Sequence, residues 1–261
     1  MSFLSKLYFG WSAYFNTDWR HPDSCMSPPP DLVDVLRDDG INLLSVRMGC
    51  EQMQCIIELN DHISPQFMAQ RLKGRWNHAL RGLKVDFPGF KRRFFMRSLG
   101  QNTKDVVRHY IQSQVDKSDL VDPLFRESMK KLRFHQEATG VDKNSHKAVY
   151  DLYVHIIFVT ADRYRMFEPE ARRVLVALKS GMQEKEVALY EASMMPDHVH
   201  CMVRWPSAYS AFELLEGIKQ ASGCVMHRAA FWSGGGYVGT VGPYSLKVAL
   251  EQNRRGGWIA A

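Results

Sequence analysis

One order of elements, strand, helix, strand, strand, helix, runs through this chain of 261 residues twice. The repetition constrains the fold more than any single motif. Each copy is a whole unit that needs its own buried sheet, and is too long to be one turn of a solenoid. In the second copy, residues 152–160 are almost continuously apolar and β-branched, as in a strand buried on both faces. A helix is predicted over 170–178, a strand pair over 186–191 and 198–204, and a helix over 211–220. In the first copy, Ser27-Pro28-Pro29-Pro30-Asp31 breaks regular structure and offers Asp31 as the cap of a helix starting over 32–36. Strands at 43–46 and 55–59 follow, then a helix opened by Ser64-Pro65 with Phe67, Leu72 and Trp76 toward one face. A last helix covers 103–114, with Thr103 as its cap. The polar stretch 115–148, with Asp142-Lys143-Asn144-Ser145, reads as a connector holding one helix near 125–134. The expected organisation is a first unit over 1–117, a connector over 118–148 and a second unit over 149–261.

The copies align residue by residue. Cys50-Glu51-Gln52-Met53-Gln54-Cys55 falls on Pro196-Asp197-His198-Val199-His200-Cys201 at an offset of 146, which also puts Leu72-Lys73 on Ile218-Lys219. Further on, Ser98-Leu99-Gly100 falls on Thr240-Val241-Gly242 at an offset of 142.

Composition limits what such a pair can do. With 45% hydrophobic residues the chain can bury a core, and a net charge of +6 with a pI of about 9.0 favours a polyanionic partner. Five cysteines, an odd number with no CxxC pair, argue against a disulfide framework or a zinc ribbon and for a reducing, cytoplasmic setting. The opening MSFLSKLYFG makes a poor signal peptide, and no apolar run is long enough to span a membrane.

The chemistry concentrates in Met195-Pro196-Asp197-His198-Val199-His200. Histidines at i and i+2 of a strand face the same side, close enough to share one metal ion. A strand with two surface histidines has the same spacing, and the Pro-Asp lead-in is what makes the motif specific. This segment resembles the HUH motif of the single-tyrosine transposases of bacterial insertion sequences, the TnpA family. Three more segments resemble that family: Tyr153 to Arg165, Ile218-Lys219-Gln220-Ala221-Ser222, and Gly236-Tyr237-Val238-Gly239-Thr240-Val241-Gly242. The resemblance covers about residues 150–253.

The resemblance implies an α+β fold of two ferredoxin-like units, each an antiparallel sheet with helices on one face, paired as a pseudo-dimer in one chain. It also implies a nucleophile in a Tyr-Ile-x-x-Gln pattern on the last helix. The second copy lacks this tyrosine: the repeat offset puts Gln252 there. The first copy has the pattern intact, in His109-Tyr110-Ile111-Gln112-Ser113-Gln114, but carries Gln52 and Gln54 in place of the histidines. The defects are complementary, and family active sites are shared between protomers, so one composite site is implied. Tyr110 would be the catalytic residue, and His198, His200 and Gln114 the metal ligands, with Tyr110 and Gln114 on one helix face. The cofactor would be a divalent cation, Mg2+ or Mn2+ by resemblance, although two imidazoles also suit zinc.

The implied activity is metal-dependent cleavage and strand transfer of single-stranded DNA through a 5′-phosphotyrosine, as in DNA transposition. The alternative is a domesticated protein that holds single-stranded or hairpin DNA without cutting it. A second rival is an unrelated metal hydrolase that ignores Tyr110. The expected partner is single-stranded DNA, with a hairpin left open, and the expected state is a monomer acting as a pseudo-dimer. Phe90-Lys91-Arg92-Arg93-Phe94-Phe95-Met96-Arg97 interleaves cations and rings, as single-strand binding surfaces do, or as a strand with one buried and one solvated face does. Lys91, Arg92 and Arg93 are therefore DNA-binding candidates, together with Lys73, Arg75, Arg163, Arg165 and Lys219.

Overall fold

The computed structural model describes residues 3–17, 28–82, 87–137, 148–226 and 230–257. The first half gives β1 (Leu4–Lys6), β2 (Tyr8–Phe15), α1 (Pro30–Asp38), β3 (Ile41–Met48), β4 (Gln52–Leu59), α2 (Pro65–Gly82), β5 (Phe90–Leu99) and α3 (Lys104–Gln112). Three short elements follow: α4 (Gln114–Lys117), α5 (Pro123–Lys130) and β6 (Arg133–His135). The second half gives β7 (Ala148–Asp151), β8 (Tyr153–Thr160), α6 (Glu168–Glu184), β9 (Leu189–Met194), β10 (His198–Arg204), α7 (Ala211–Gly223), β11 (Trp232–Val241) and α8 (Leu246–Arg254).

The fold is α+β, with a five-stranded sheet in the order β3-β4-β2-β5-β7 and a six-stranded sheet in the order β1-β11-β8-β10-β9-β6. Pairing is antiparallel except at two places. The leading strand β1 joins β11 in parallel, and β7 joins β5 in parallel. In both cases the chain leaves one sheet for the other at a buried leucine, Leu7 or Leu152. The run 152–160 is thus not one uniform strand: Leu152 is the crossing point and β8 begins at Tyr153.

The crossings are held by matching bonds. Tyr8 N–H donates to Thr240 Oγ1 (2.8 Å) and Tyr153 N–H to Ser98 Oγ (2.9 Å). Leu246 N–H donates to Gly100 O (2.7 Å) and Lys104 N–H to Gly242 O (2.8 Å). Both glycines are needed for close approach. A Cβ on Gly242 would lie 2.0 Å from Ser98 O, and one on Gly100 would lie 2.5 Å from Thr240 O, so backbone would have to move. Gly242→Ala is therefore expected to cost about 1–3 kcal/mol, as overpacking does, read as a lower urea midpoint at unchanged slope. A midpoint equal to wild type would show that this crossing is loose.

Each sheet packs two helices of its own half on one face, α1 and α2 on the first and α6 and α7 on the second. Val154, Ile156, Phe158, Val199, Cys201 and Val203 meet Ala171, Val174, Leu178, Leu214 and Ile218 of α6 and α7 in the main core. The opposite face takes the last helix of the other half. Val107 and Ile111 of α3 pack with Tyr153, Tyr190, Met202 and Val241, whereas Ala249 of α8 packs with Tyr8, Ile56 and Leu99. The last helices α3 and α8 thus cross over between the halves, because apolar residues on both faces of each sheet need cover.

Local expectations changed too. Pro29, not Asp31, is the N-cap residue of α1, and Asp31 lies in the first turn, where a carboxylate favours the helix dipole. Phe67 is 37% exposed, and the buried stripe of α2 runs through Met68, Leu72 and Trp76. The helix expected to reach Gln114 stops at Gln112, and Ser113 separates it from α4. The connector contributes β6, which extends the six-stranded sheet beside β9. Asp142-Lys143-Asn144-Ser145 lies outside the described residues, as does Ser27. Among the described residues no helix is long and apolar enough to cross a membrane.

Candidate active site

The strand β10 carries His198, His200 and Met202 toward the face that α3 covers. On its neighbour β8, Val159 pairs with His198, Ile157 with His200 and His155 with Met202, so His155 joins the same face. The His155 and His200 rings stack at 5.4 Å, with His155 Nε2 3.2 Å from His200 Nδ1. His198 lies 5.0 Å from His200, centroid to centroid. From the other half, α3 brings Tyr110 over the group, its ring 5.4 Å from His200 and 5.9 Å from His155, with 41% of the residue exposed.

Each imidazole is held by a neighbour. Asp197 Oδ1 lies 2.7 Å from His198 Nδ1, which leaves Nε2 of His198 for another partner. Asp197 also accepts from Arg163 Nη1 (3.2 Å), and the turn after β8 that presents Arg163 has two consecutive non-glycine residues at positive φ, Asp162 and Arg163. Such backbone is costly and persists where its surroundings fix it. Here Thr160 Oγ1 bonds both Tyr164 O and Asp197 O and fixes the turn. Burial works to raise the Asp197 carboxyl, but its bonds to His198 and Arg163 outweigh this and hold it below the ordinary range.

Burial pushes His200 down to about 3, with His155 and His198 adding to the effect, and burial alone pushes His155 down to about 4. Both rings are therefore neutral at pH 7, and their short contact needs one donor and one acceptor. If His200 offers Nε2 to a cation, its own proton sits on Nδ1 and is donated to His155 Nε2. Below the unfolded histidine value near 6.5, the unfolded chain takes up protons that the folded one refuses. Stability is thus expected to be complete above pH 6.5 and to fall by about 1.4 kcal/mol per pH unit per ring as pH drops toward 4. Urea titrations at pH 7 and pH 5 on wild type and His155→Asn check this, and an equal loss in both would remove His155 from the account.

Gln114 is placed differently from Tyr110. It opens α4, and its Nε2 donates back to Tyr110 O (3.0 Å). Among the described residues no three His, Cys, Asp or Glu side chains converge as a metal set. Two oriented imidazoles on one strand face suit a divalent cation.

The basic candidates divide. Lys91, Arg92 and Arg93 are all exposed at the far end of β5, and Arg165 is exposed beside the strained turn. Arg75 is paired with Asp39 at 3.0 Å. Lys73 and Lys219 hold matching places: Lys73 Nζ donates to Lys91 O (2.6 Å), and Lys219 Nζ to Ser233 O (2.7 Å). Burial lowers both ammonium groups from their ordinary value. His155 joins the site only through the register of β8 against β10, which the sequence does not show.

The equivalent place in the first half is filled by Gly10, Gln54 and Asn253. Gln54 Nε2 donates to Asn253 Oδ1 (3.0 Å), and Asn253 Nδ2 to Ser45 Oγ (2.7 Å).

Comparison with known proteins bears on the second half. The transposases for insertion sequence element IS200 of Salmonella typhimurium and Salmonella typhi are each 25% identical over 135 residues, covering 45% of this chain and 89% of theirs. A crystal structure of a protein from Deinococcus radiodurans assigned as a transposase has a TM-score of 0.36 and 21% identity, over 45% of this chain and 99% of that one. Residues 148–251, which hold His155, His198 and His200 but not Tyr110, match the family model described as "Transposase IS200 like".

Proposed function

We propose that this chain is a transposase-like enzyme that cuts and rejoins single-stranded DNA through Tyr110, with both halves supplying one composite site. The observation that carries this is the placement of the Tyr110 ring 5.4 Å from His200, a residue of the other half. The tandem reading has separate support. Less than half of this chain spans 89% of the IS200 relatives, and the remaining chain repeats the same strand order and crossings.

His198 and His200 would hold a divalent cation, Mg2+ or Mn2+, with the amide oxygen of Gln114 proposed to complete the set. When bound, such an ion neutralises charge on the scissile phosphate. The remaining steps belong to the chain. Asp197 fixes the ring of His198, and His155 fixes that of His200. Exposed cations at Arg163 and Arg165 attract the phosphodiester to this end of the sheet. The Tyr110 hydroxyl gives its proton to solvent as its oxygen attacks phosphorus and forms the Tyr–O–P bond. The P–O3′ bond breaks, and the departing 3′ oxygen takes up a proton. The reverse attack by a 3′-hydroxyl rejoins strands and restores the phenol.

The test is incubation with an unstructured labelled oligonucleotide and with a hairpin oligonucleotide, each with Mn2+. A denaturation-stable adduct mapped to Tyr110 by mass spectrometry supports the reading. Tight binding with no adduct at any metal concentration leaves a DNA-holding protein instead, and metal-dependent cutting without an adduct leaves a hydrolase.

A further inference from the structure

We infer that Glu191 is the positioning residue that docks the Tyr110 helix onto the histidine-bearing sheet, and that the connector strand β6 completes this dock. The inference deepens the proposed function and rests on it for its catalytic meaning, but not for its geometry.

Glu191 lies on β9 opposite Met202, on the face that α3 covers, and is 1% exposed. A buried carboxylate costs several kcal/mol unless it is partnered, and its partners come from two segments. From α3, Arg108 Nε lies 3.1 Å from Oε1 and Gln112 Nε2 donates to Oε2 at 3.4 Å. From β6, His135 Nδ1 lies 2.5 Å from Oε1. Arg108 and Gln112 are one turn apart and flank Tyr110, so they fix the rotation of α3 about its own axis. Beneath this rim the apolar grip of α3 is slight, with Val107 and Ile111 its buried side chains.

The other half shows what the dock replaces. Register places Ser45 of β3 opposite Ile56, as Glu191 is placed opposite Met202. There α8 is held by Asn253, which reaches Ser45 and also Gln54, the counterpart of His200. A helix held that way closes over the motif strand. A helix held at the rim by Glu191 leaves His200 facing Tyr110. The connector is accordingly more than a tether, because β6 pairs with β9 and brings His135 to the same carboxylate.

The test uses hydrogen–deuterium exchange on the full chain, with α8 as an internal reference. Glu191→Gln keeps the shape and removes the charge. Exchange in α3 and β6 is expected to rise at least roughly tenfold while α8, β8 and β10 stay at wild-type rates. Adduct formation in a single turnover is expected to slow by a similar factor, with oligonucleotide affinity within about twofold. If Glu191→Gln speeds exchange everywhere, Arg108→Gln decides, since its side chain is partly exposed. Selective loosening of α3 in that variant supports the dock, and unchanged α3 exchange overturns it. Unchanged α3 exchange in Glu191→Gln overturns it directly. Loosening of α3 in a protein whose wild type forms no adduct keeps the dock and sinks the nucleophile assignment instead.

Discussion

Tyr110→Phe is expected to abolish the covalent adduct, by about a thousandfold or more, while single-stranded DNA binding stays within about twofold of wild type. The ring is kept, so its edge contacts with His155 and His200 persist, and only the attacking oxygen is removed. The α3 helix is held by Val107 and Ile111 beneath and by Arg108 and Gln112 at the rim, none of which changes. Thermal stability should accordingly be nearly unaltered. A Tyr110→Phe protein that still forms a denaturation-stable adduct would assign the chemistry to another residue.

The second large effect concerns the assembly of the site. Tyr110→Phe and His200→Ala, each inactive alone, are expected to remain inactive when mixed. Within one molecule α3 already lies on the sheet that carries β10, and the reciprocal placement of α8 on the first sheet closes the arrangement. Exchange between molecules would require both crossings at Leu7 and Leu152 to open. If sites formed between chains instead, mixing would restore roughly a quarter to a half of wild-type cleavage, depending on how mixed dimers assemble. Recovery that grows with protein concentration would overturn the single-chain site and leave the chemistry standing.

Much of this was legible in the sequence, for physical reasons that can be named. The bounds of β10 could be read directly, because the motif histidines and the alternation around them fix both its position and its facing. The element order read twice along the chain is matched by the strand orders of the two sheets. The matched bonds at Gly100 and Gly242 follow the offset of the Ser98-Leu99-Gly100 and Thr240-Val241-Gly242 segments. What stayed hidden was non-local. A continuous apolar run gives no sign that Leu152 is a crossing, because either sheet would bury it. His155 sits in that run and reads as a core residue until its neighbour strand is known. Lys73 and Lys219 read as phosphate contacts from their place near the site. What the sequence does not bring near are the backbone carbonyls that their ammonium groups meet. The three-residue β6 is too short to carry any periodicity.

The parallel pairing of Leu4 with Tyr237 has a consequence for biosynthesis. The strand β1 can find its sheet only after β11, far later in the chain, has been made. Until then β11 has not formed, and the partner edge for β1 does not exist. A shorter delay applies to β5, whose free edge waits for β7. Long-range pairings of this kind slow folding and prolong the exposure of unpaired strand edges. Until β7 is made, the β5 edge of the nascent first half is open to pairing with other strands, and the segment that closes it comes from the half that follows.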